Sequence, residues 1–292
     1  MATIREIRRR IRSVTSTAKI TRAMEMVAAS KMRRAQLSAL ATRPYAEKMR
    51  QMLSDLQESL QSQRQEAPHP LLESREAQKV VIILISTDRG LCGGLNANLN
   101  RFTAAFALEH QNLEVKTVAV GRKARDFLAR TGLPAIAEFT NLPDYPTLDD
   151  ARPLARIVMD EYVSGNVDHV YLVFPLFINT MVQRPEMRQL LPIQIPPRES
   201  TTMSIQYIYE PSPQEVFDDL LPRYVQRQVY EAILEKSASE QSARMIAMRS
   251  ATDAANDMVD DLTLTYNKAR QETITKELLD LVGGAEALRS AE

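Results

Sequence analysis

The sequence is poor in the residues that build disulfides, metal sites and membrane spans. Its 292 residues include one cysteine, Cys92, and three histidines without a metal-ligand spacing such as HExxH. These counts exclude a disulfide framework and a cysteine-based zinc site. The longest apolar run, Val170 to Ile178, contains Pro175 and is far shorter than the about 20 residues of a membrane-spanning helix. We therefore expect no metal, no cofactor and no direct membrane insertion.

Helix-breaking residues are absent from both ends of the chain. Residues 1–43 and 223–282 contain neither glycine nor proline, which favours a long helix at each end. Near the N-terminus, apolar residues follow alternating steps of three and four, and a second set continues them after a slight change of phase. The first set is Ile4, Ile7, Ile11, Val14 and Ala18, and the second is Met24, Val27, Ala28 and Met32. We predict a helix over 1–62, with a possible kink at Pro44.

The C-terminal segment, 213–288, shows the same heptad pattern over a greater length. Its apolar positions are Phe217, Leu220, Tyr224, Leu234, Ala238, Met245, Met248, Ala255, Val259, Leu262, Tyr266 and Ala269; polar residues (Arg227, Glu231, Gln241, Thr252 and Thr273) occupy the other positions. Such a repeat is typical of a coiled coil. Neither terminal helix can bury its stripe alone, so the two are predicted to pair antiparallel.

The middle segment, 77–210, follows a linker at 63–76 and has a different pattern. The β-branched run from Lys79 to Ser86 predicts a strand that is covered on both faces. Further strands are predicted at Val115 to Val120 and Asp168 to Phe174, and more antiparallel ones in 180–210, with helices between the earlier strands. The fold class is therefore α/β, a Rossmann-like domain inserted between two paired helices of a long antiparallel coiled coil.

The turn from Ser86 to Asn96 joins the first strand to a helix, which is where phosphate-binding loops lie. Its glycines are spaced GxxGG rather than GxGxxG, so a structural tight turn is the favoured interpretation and nucleotide binding the alternative. Asp88 and Arg89 can pair locally, and Cys92 is expected to be a small packing residue. A nucleotide-dependent enzyme is one rival function.

Charge is distributed unevenly although the net charge is zero. Residues 1–50 carry 13 basic side chains against three acidic ones. Such a face can bind nucleic acid, remain solvated, or contact acidic protein loops. A basic-region coiled-coil nucleic-acid binder, or a coiled-coil adaptor, is thus a second rival. The basic start also resembles a transit peptide in composition, but Glu6 interrupts it and the apolar period continues past it, so we interpret it as mature protein.

Tyr207 and Tyr209 alternate with Gln206 and Ile208 and therefore share one face of a predicted strand. Packing in the core is the default interpretation, and an exposed docking patch is the alternative.

Three blocks together resemble one family. Residues 11–35 are similar to the N-terminal helix of the gamma subunit of bacterial F-type ATP synthases, and TDRGLCGGLN at 87–96 is similar to its central signature. Residues 239–257 and 266–288 resemble its C-terminal signature. The blocks occur in family order and span nearly the whole chain.

The resemblance implies a function and a set of partners. The gamma subunit is the non-catalytic central rotor shaft, which couples proton-driven rotation of the membrane c-ring to conformational cycling of catalytic beta subunits during ATP synthesis. In reverse, ATP hydrolysis drives proton pumping. Its implied partners are three alpha and three beta subunits, the epsilon subunit and the c-ring, and nucleic acid is not among them. The implied location is the cytoplasmic face of the plasma membrane, as a peripheral protein.

The resemblance also implies contact residues. Arg244 and Gln271 match positions that contact a beta-subunit loop, and Met24 matches a methionine near the acidic beta lever. Tyr207 matches an aromatic position beside the c-ring, and Tyr209 shares its face. The basic residues Arg8, Arg9, Arg33 and Arg34 are expected to guide the acidic levers of the beta subunits. No catalytic residue is expected.

Overall fold

The computed structural model describes residues 3–62, 69–110, 112–195 and 209–289. Two long helices, one at each end of the chain, precede and follow a five-stranded sheet and its shorter helices in the sequence. The helices are α1 (Ile4–Ser62), α2 (Leu95–Glu109), α3 (Arg122–Thr131), α4 (Leu148–Val163) and α5 (Pro213–Arg289), and the 3-10 helix Pro70–Leu72 follows α1. The strands are β1 (Lys79–Ile85), β2 (Glu114–Val120), β3 (Ala135–Phe139), β4 (His169–Phe177) and β5 (Gln183–Leu191).

The sheet has the strand order β3-β2-β1-β4-β5, in which the first four strands are parallel and β5 is antiparallel to β4. Every residue of β1 after Lys79 is buried, as its continuous apolar run predicted. One face of β1 packs against α1, α4 and α5, and the other packs against α2 and α3. The central strand is therefore covered on both sides, as parallel sheets require.

The structure corrects the sequence prediction at the edges of the sheet. Strand β3 was missed, because it is short and partly exposed and so lacks the apolar run that marks β1. The segment 180–210 yields one strand, β5, and residues 196–208 lie outside the described part of the chain.

The chain divides into two compact units, one formed by residues 1–27 with 245–292 and the other by residues 28–244. Both α1 and α5 contribute to each unit. The boundaries predicted for the linker and the middle domain remain predictions.

In the first unit, α1 and α5 pair antiparallel along a seam that contains polar residues. The Oγ1 atoms of Thr21 and Thr252 lie 2.7 Å apart and are buried, and Arg249 Nε donates to Glu25 Oε1 at 2.8 Å. Thr21 and Glu25 thus occupy the positions between Ala18 and Ala28, which keeps the steps of three and four unbroken. The change of phase predicted between the two apolar sets is wrong. The buried stripe runs on from Ala18 to Ala28, but two of its positions are polar and so do not stand out in the sequence.

Two predicted seam positions in this unit are exposed. Val27 is 55% exposed and lies off the seam. Counting antiparallel from the Thr21–Thr252 pair, Ile4, the first residue of α1, lies opposite Ala269. Thr273 therefore lies beyond the start of α1 and is exposed. Several large apolar side chains beyond that point are exposed: Ile274, Leu278, Leu279, Leu281 and Val282.

In the second unit, α1 remains helical through Pro44. Arg227 on α5 donates from Nη2 to the carbonyl oxygen of Thr42 at 2.7 Å, and its guanidinium lies 5.4 Å from the centroid of the Tyr45 ring. A cation bonded to the backbone beside the proline stabilises a helix turn that proline weakens. The polar seam residue Arg227 therefore stabilises α1 at this point.

Candidate functional site

The carboxyl ends of β1 and β4 lie at the position where open α/β sheets bind ligands. From β1 the chain continues to β2 on one side, and β4 lies on the other side. Neighbouring parallel strands whose connections leave in opposite directions create a crevice at their carboxyl ends. A nucleotide site, if the domain had one, is expected there.

That crevice is occupied by α5. The backbone amide of Phe177 donates to Glu235 Oε2 at 3.1 Å, and Ser239 Oγ donates to the carbonyl oxygen of Pro175 at 2.9 Å. One turn further along, Ser242 Oγ donates to the carbonyl oxygen of Thr180 at 2.8 Å. Both serines are fully buried. The helix therefore binds the backbone groups that a ligand would otherwise meet, which argues against the nucleotide-dependent enzyme.

Three buried charges on α5 continue this contact toward β1. Lys236, Glu240 and Arg244 follow one another at a spacing of four residues, and their side chains are 7%, 11% and 11% exposed. Glu240 lies 3.5 Å from Lys236 Nζ and 2.7 Å from Arg244 Nη2, and Arg244 Nη2 also donates to the carbonyl oxygen of Gly90 at 3.3 Å. Through Arg244, this row thus attaches α5 to the loop that follows β1, residues 86–94.

The side chains of this loop bind one another and their neighbours. Thr87 Oγ1 donates to the carbonyl oxygen of Arg89, and Asn96 Nδ2 donates to Thr87 Oγ1 at 2.8 Å. Asp88 accepts from the backbone amides of Arg122 and Asn141 at 3.0 and 3.1 Å. The predicted pairing of Asp88 with Arg89 is thus wrong: its ion-pair partner is Arg122, because both stand at the carboxyl edge of the sheet.

Cys92 is buried in this loop, as the sequence predicted for a packing residue. Burial raises the pKa of its thiol, and the charge of Glu240 raises it further, whereas the nearby Arg244 lowers it. A thiol held in the protonated form is a poor nucleophile. Cys92 therefore contributes packing rather than chemistry.

The loop between β3 and α4, residues 140–147, is held against α1. Lys31 Nζ donates to Asp144 Oδ2 at 2.6 Å, and the Arg34 guanidinium lies 4.1 Å from the centroid of the Tyr145 ring. The bond from Lys31 lowers the pKa of Asp144, and Arg89 and Arg244 add to that effect from a greater distance. Both loops at the carboxyl edge are thus attached to the long helices, at a point rich in basic side chains.

We call this set of contacts the junction; it comprises Lys31 and Arg34 of α1, the loops 86–94 and 140–147, residues 175–183, and residues 235–244 of α5. It contains contacts that sequence reasoning missed. The spacing of Lys236, Glu240 and Arg244 is visible in the sequence as a row of alternating charges, a signal of intrahelical pairing. Their burial against the loop 86–94 has no such signal, because the partners are separated by about 150 residues of chain.

The predicted contact residues fall in both units. In the first unit, Arg8, Arg9 and Gln271 are exposed and Met24 is half-buried. In the second, Arg33 and Arg34 are exposed, whereas Arg244 is largely buried in the junction. Tyr209 is half-buried and packs against the core, and Tyr207 lies outside the described residues.

Among the described residues there is no group of three or more His, Cys, Asp or Glu side chains that could hold a metal ion. A search of the same residues finds no helix with the length and apolarity needed to cross a bilayer.

Comparison with known proteins identifies the family. The family model described as ATP synthase matches residues 3–288. The ATP synthase gamma chain of Dehalococcoides mccartyi is 52% identical over 291 residues, which cover 99% of this chain and 100% of the relative. The chain belongs to the ATP synthase gamma chain family. A second relative, the gamma chain of Chloroflexus aurantiacus, is 49% identical over 293 residues, covering 99% of this chain and 100% of the relative.

Solved structures agree with this assignment. The central stalk and c-ring structure of Tetrahymena thermophila mitochondrial ATP synthase contains a chain that matches with a TM-score of 0.59 and 25% identity, covering 80% of this chain and 99% of that one. A chain of the Euglena gracilis mitochondrial ATP synthase matches with a TM-score of 0.69 and 20% identity over 99% of this chain and 95% of that one, which confirms the predicted fold class. Family membership also confirms the rotor-shaft function and the non-catalytic role that the three motifs implied.

Proposed function

We propose that this chain is the central rotor shaft of a bacterial F-type ATP synthase and transmits the rotation of its α/β domain to its long helices. The junction carries the proposal. Backbone groups of β4 and of the loops that follow β1 and β4 are hydrogen-bonded to side chains of α5, from Glu235 to Arg244. A helix attached to a rigid sheet through several backbone groups has to turn when the sheet turns.

The proposed partners are the alpha and beta subunits, three of each, around the long helices, and the c-ring and epsilon subunit at the α/β domain. The end of α5 beyond Ala269 exposes a row of large apolar side chains. Such a surface favours burial by a partner, and we assign it to the ring of alpha and beta subunits. Tyr207 and Tyr209 are proposed to contact the c-ring or epsilon. The proposed location is the cytoplasmic face of the plasma membrane.

We propose that the exposed arginines Arg8, Arg9, Arg33 and Arg34 guide acidic levers of the beta subunits, and that Met24 also lies near such a lever in the complex. Exposed ion pairs contribute about 0–1 kcal/mol each, which is too little for any one pair to carry an ATP-forming step. Steric pushing by the stiff helices is therefore the main source of force. Gln271 is exposed and suited to direct contact with a beta loop, whereas for Arg244 we propose that the loop it holds shares the contact.

The first experiment is the stoichiometry of the purified complex. One copy of this chain with three alpha and three beta subunits is expected. Calorimetry of the isolated chain with ATP or NAD should show no tight binding, because α5 fills the crevice. Binding of either nucleotide with a defined stoichiometry, or absence of the chain from the complex, would contradict the proposal.

A second experiment tests the guiding role of the arginines. Arg8→Gln with Arg9→Gln, and Arg33→Gln with Arg34→Gln, should each reduce the ratio of protons pumped to ATP hydrolysed only partly, because no single pair is decisive. Arg156→Gln is the matched control, since Arg156 is an exposed arginine on α4. Complete loss of rotation from one pair would refute a mainly steric mechanism.

A further inference from the structure

We propose that Glu240 is a positioning residue of the rotor: it orients Arg244 so that the loop 86–94 is held to α5 and turns with it. This inference rests on the proposed shaft function and adds to it a residue that the three family-like motifs did not single out. Glu240 and the loop share one guanidinium nitrogen of Arg244.

The Nη2 atom of Arg244 makes two contacts at once. It lies 2.7 Å from Glu240 Oε1 and 3.3 Å from the carbonyl oxygen of Gly90. This nitrogen carries two hydrogens in the rigid plane of the guanidinium group. When the carboxylate takes one hydrogen, the direction of the other is fixed, and it points to the loop. Glu240 therefore determines whether the bond to Gly90 can form.

The second carboxylate oxygen of Glu240 is also engaged. Its Oε2 lies 3.5 Å from Lys236 Nζ, so each oxygen faces one cation. Meanwhile Arg244 Nη1 donates to Gln241 Oε1 at 3.2 Å, which fixes the opposite side of the guanidinium plane. All three charged side chains are about nine-tenths buried. A glutamine at position 240 would remove the carboxylate that both buried cations contact, and they would turn toward water.

The loop held in this way has few side-chain bonds to α5 apart from that of Arg244. Among the described residues, its other hydrogen bonds run within the loop or to α2, α3, the loop 140–147 and Val120 of β2. The exposed residues Arg89 and Leu91 stand on either side of Gly90. If Arg244 releases Gly90, these two side chains no longer move rigidly with the helix. We expect the loop then to yield under load rather than transmit it.

Cys92 provides the first test, because it is the only cysteine of the chain and is buried within the loop. In the purified full-length chain, Glu240→Gln should increase the rate of thiol labelling by a maleimide about tenfold or more, since opening of the loop becomes easier. Asp219→Asn is the matched control: Asp219 pairs with Arg223 four residues on, on the same helix, but both are exposed. It should leave the labelling rate unchanged.

Two further measurements separate positioning from general loss of structure. Because Glu240 raises the pKa of the Cys92 thiol, rates are followed into the alkaline range and compared at their plateau. Arg244→Lys keeps the charge but not the fork that reaches Glu240 and Gly90 together, so it should also expose Cys92 while the helical circular dichroism stays unchanged. If Glu240→Gln fails to fold, Arg244→Lys alone decides. An unchanged plateau rate in the folded variants would overturn the proposal.

The second test uses the assembled complex. Glu240→Gln should lower the ratio of protons pumped to ATP hydrolysed at least about twofold without changing the KM for ATP, because the altered contact lies outside the catalytic sites. Faster labelling with unchanged coupling would overturn the positioning role while leaving the shaft function intact. A wild-type complex that lacks this chain would instead refute the proposed function itself.

Discussion

Replacing Thr21 and Thr252 with valine, singly and together, measures how the polar seam of the first unit is stabilised. The two Oγ1 atoms are 2.7 Å apart, and each also lies within hydrogen-bond distance of a carbonyl oxygen on its own helix, Ala18 at 3.1 Å and Met248 at 2.9 Å. Each hydroxyl has one hydrogen to donate. Two hydrogens therefore serve three contacts, and one hydroxyl donates across the seam while the other donates along its helix.

This sharing of hydrogens determines the expected changes in stability. A single valine removes the bond across the seam and leaves the other hydroxyl opposite a methyl group, where it can still donate along its own helix. The expected loss is about 1 kcal/mol for either single variant, the net value of one neutral hydrogen bond. In the double variant no hydroxyl remains to be satisfied and the shape is unchanged, so its stability should be within about 0.5 kcal/mol of wild type. The coupling energy is then about 2 kcal/mol.

The free energy of unfolding is measured by urea unfolding of the full-length chain. The rate of amide exchange in peptides around the two threonines is then measured separately. Thr17→Val is the control, because Thr17 is exposed and its hydroxyl donates along α1, to the carbonyl oxygen of Ser13. It should change stability by less than about 0.5 kcal/mol. If the double variant is destabilised by the sum of the two single variants, the hydroxyls do not interact and the description of the seam is wrong.

Two further predictions concern the second unit. Gly121→Ala should destabilise the chain by about 3 kcal/mol or more, because Gly121 has φ +92 and an added Cβ would lie 2.6 Å from the carbonyl oxygen of Ser86. Gly132→Ala is the control, since Gly132 also has positive φ but open space; urea midpoints should show a loss of only about 1 kcal/mol. Lys31 lowers the pKa of Asp144, so their contact stabilises the fold above the ordinary aspartate pKa and is lost as pH falls through the lowered one. Acid titration of Lys31→Met should therefore show a shallower loss of stability in that range, and an unchanged curve would contradict the assignment.

The parts of the fold that the sequence predicts are those in which one local pattern dominates. The apolar run of β1 predicts a strand buried on both faces, and the steps of three and four predict both long helices. Thr21 and Glu25 were overlooked in the seam because a hydropathy pattern treats a polar residue as an interruption. In the structure each is paired with a polar partner on α5, so the helix pairing continues through them.

The junction could be predicted only in part. The GxxGG spacing favours a structural turn over nucleotide binding, and the structure gives a reason for the same interpretation. The reason is not local, however: Ser239 and Ser242 occupy the crevice from more than 60 residues away along the chain. Hydrogen bonds between small polar side chains and distant carbonyl groups leave no periodic trace in a sequence. A serine that binds the sheet therefore looks the same as one that faces water.

The position of α5 against β4 and the loop after β1 also bears on how this protein could be inhibited. A helix that belongs to the same chain competes for its crevice at a very high effective concentration. A soluble compound shaped like a nucleotide would have to displace Ser239 and Ser242 together from the backbone groups they bind. Drug screening against this domain should therefore yield compounds that block its outer surfaces, and none that enter through the route by which related sheets admit their ligands.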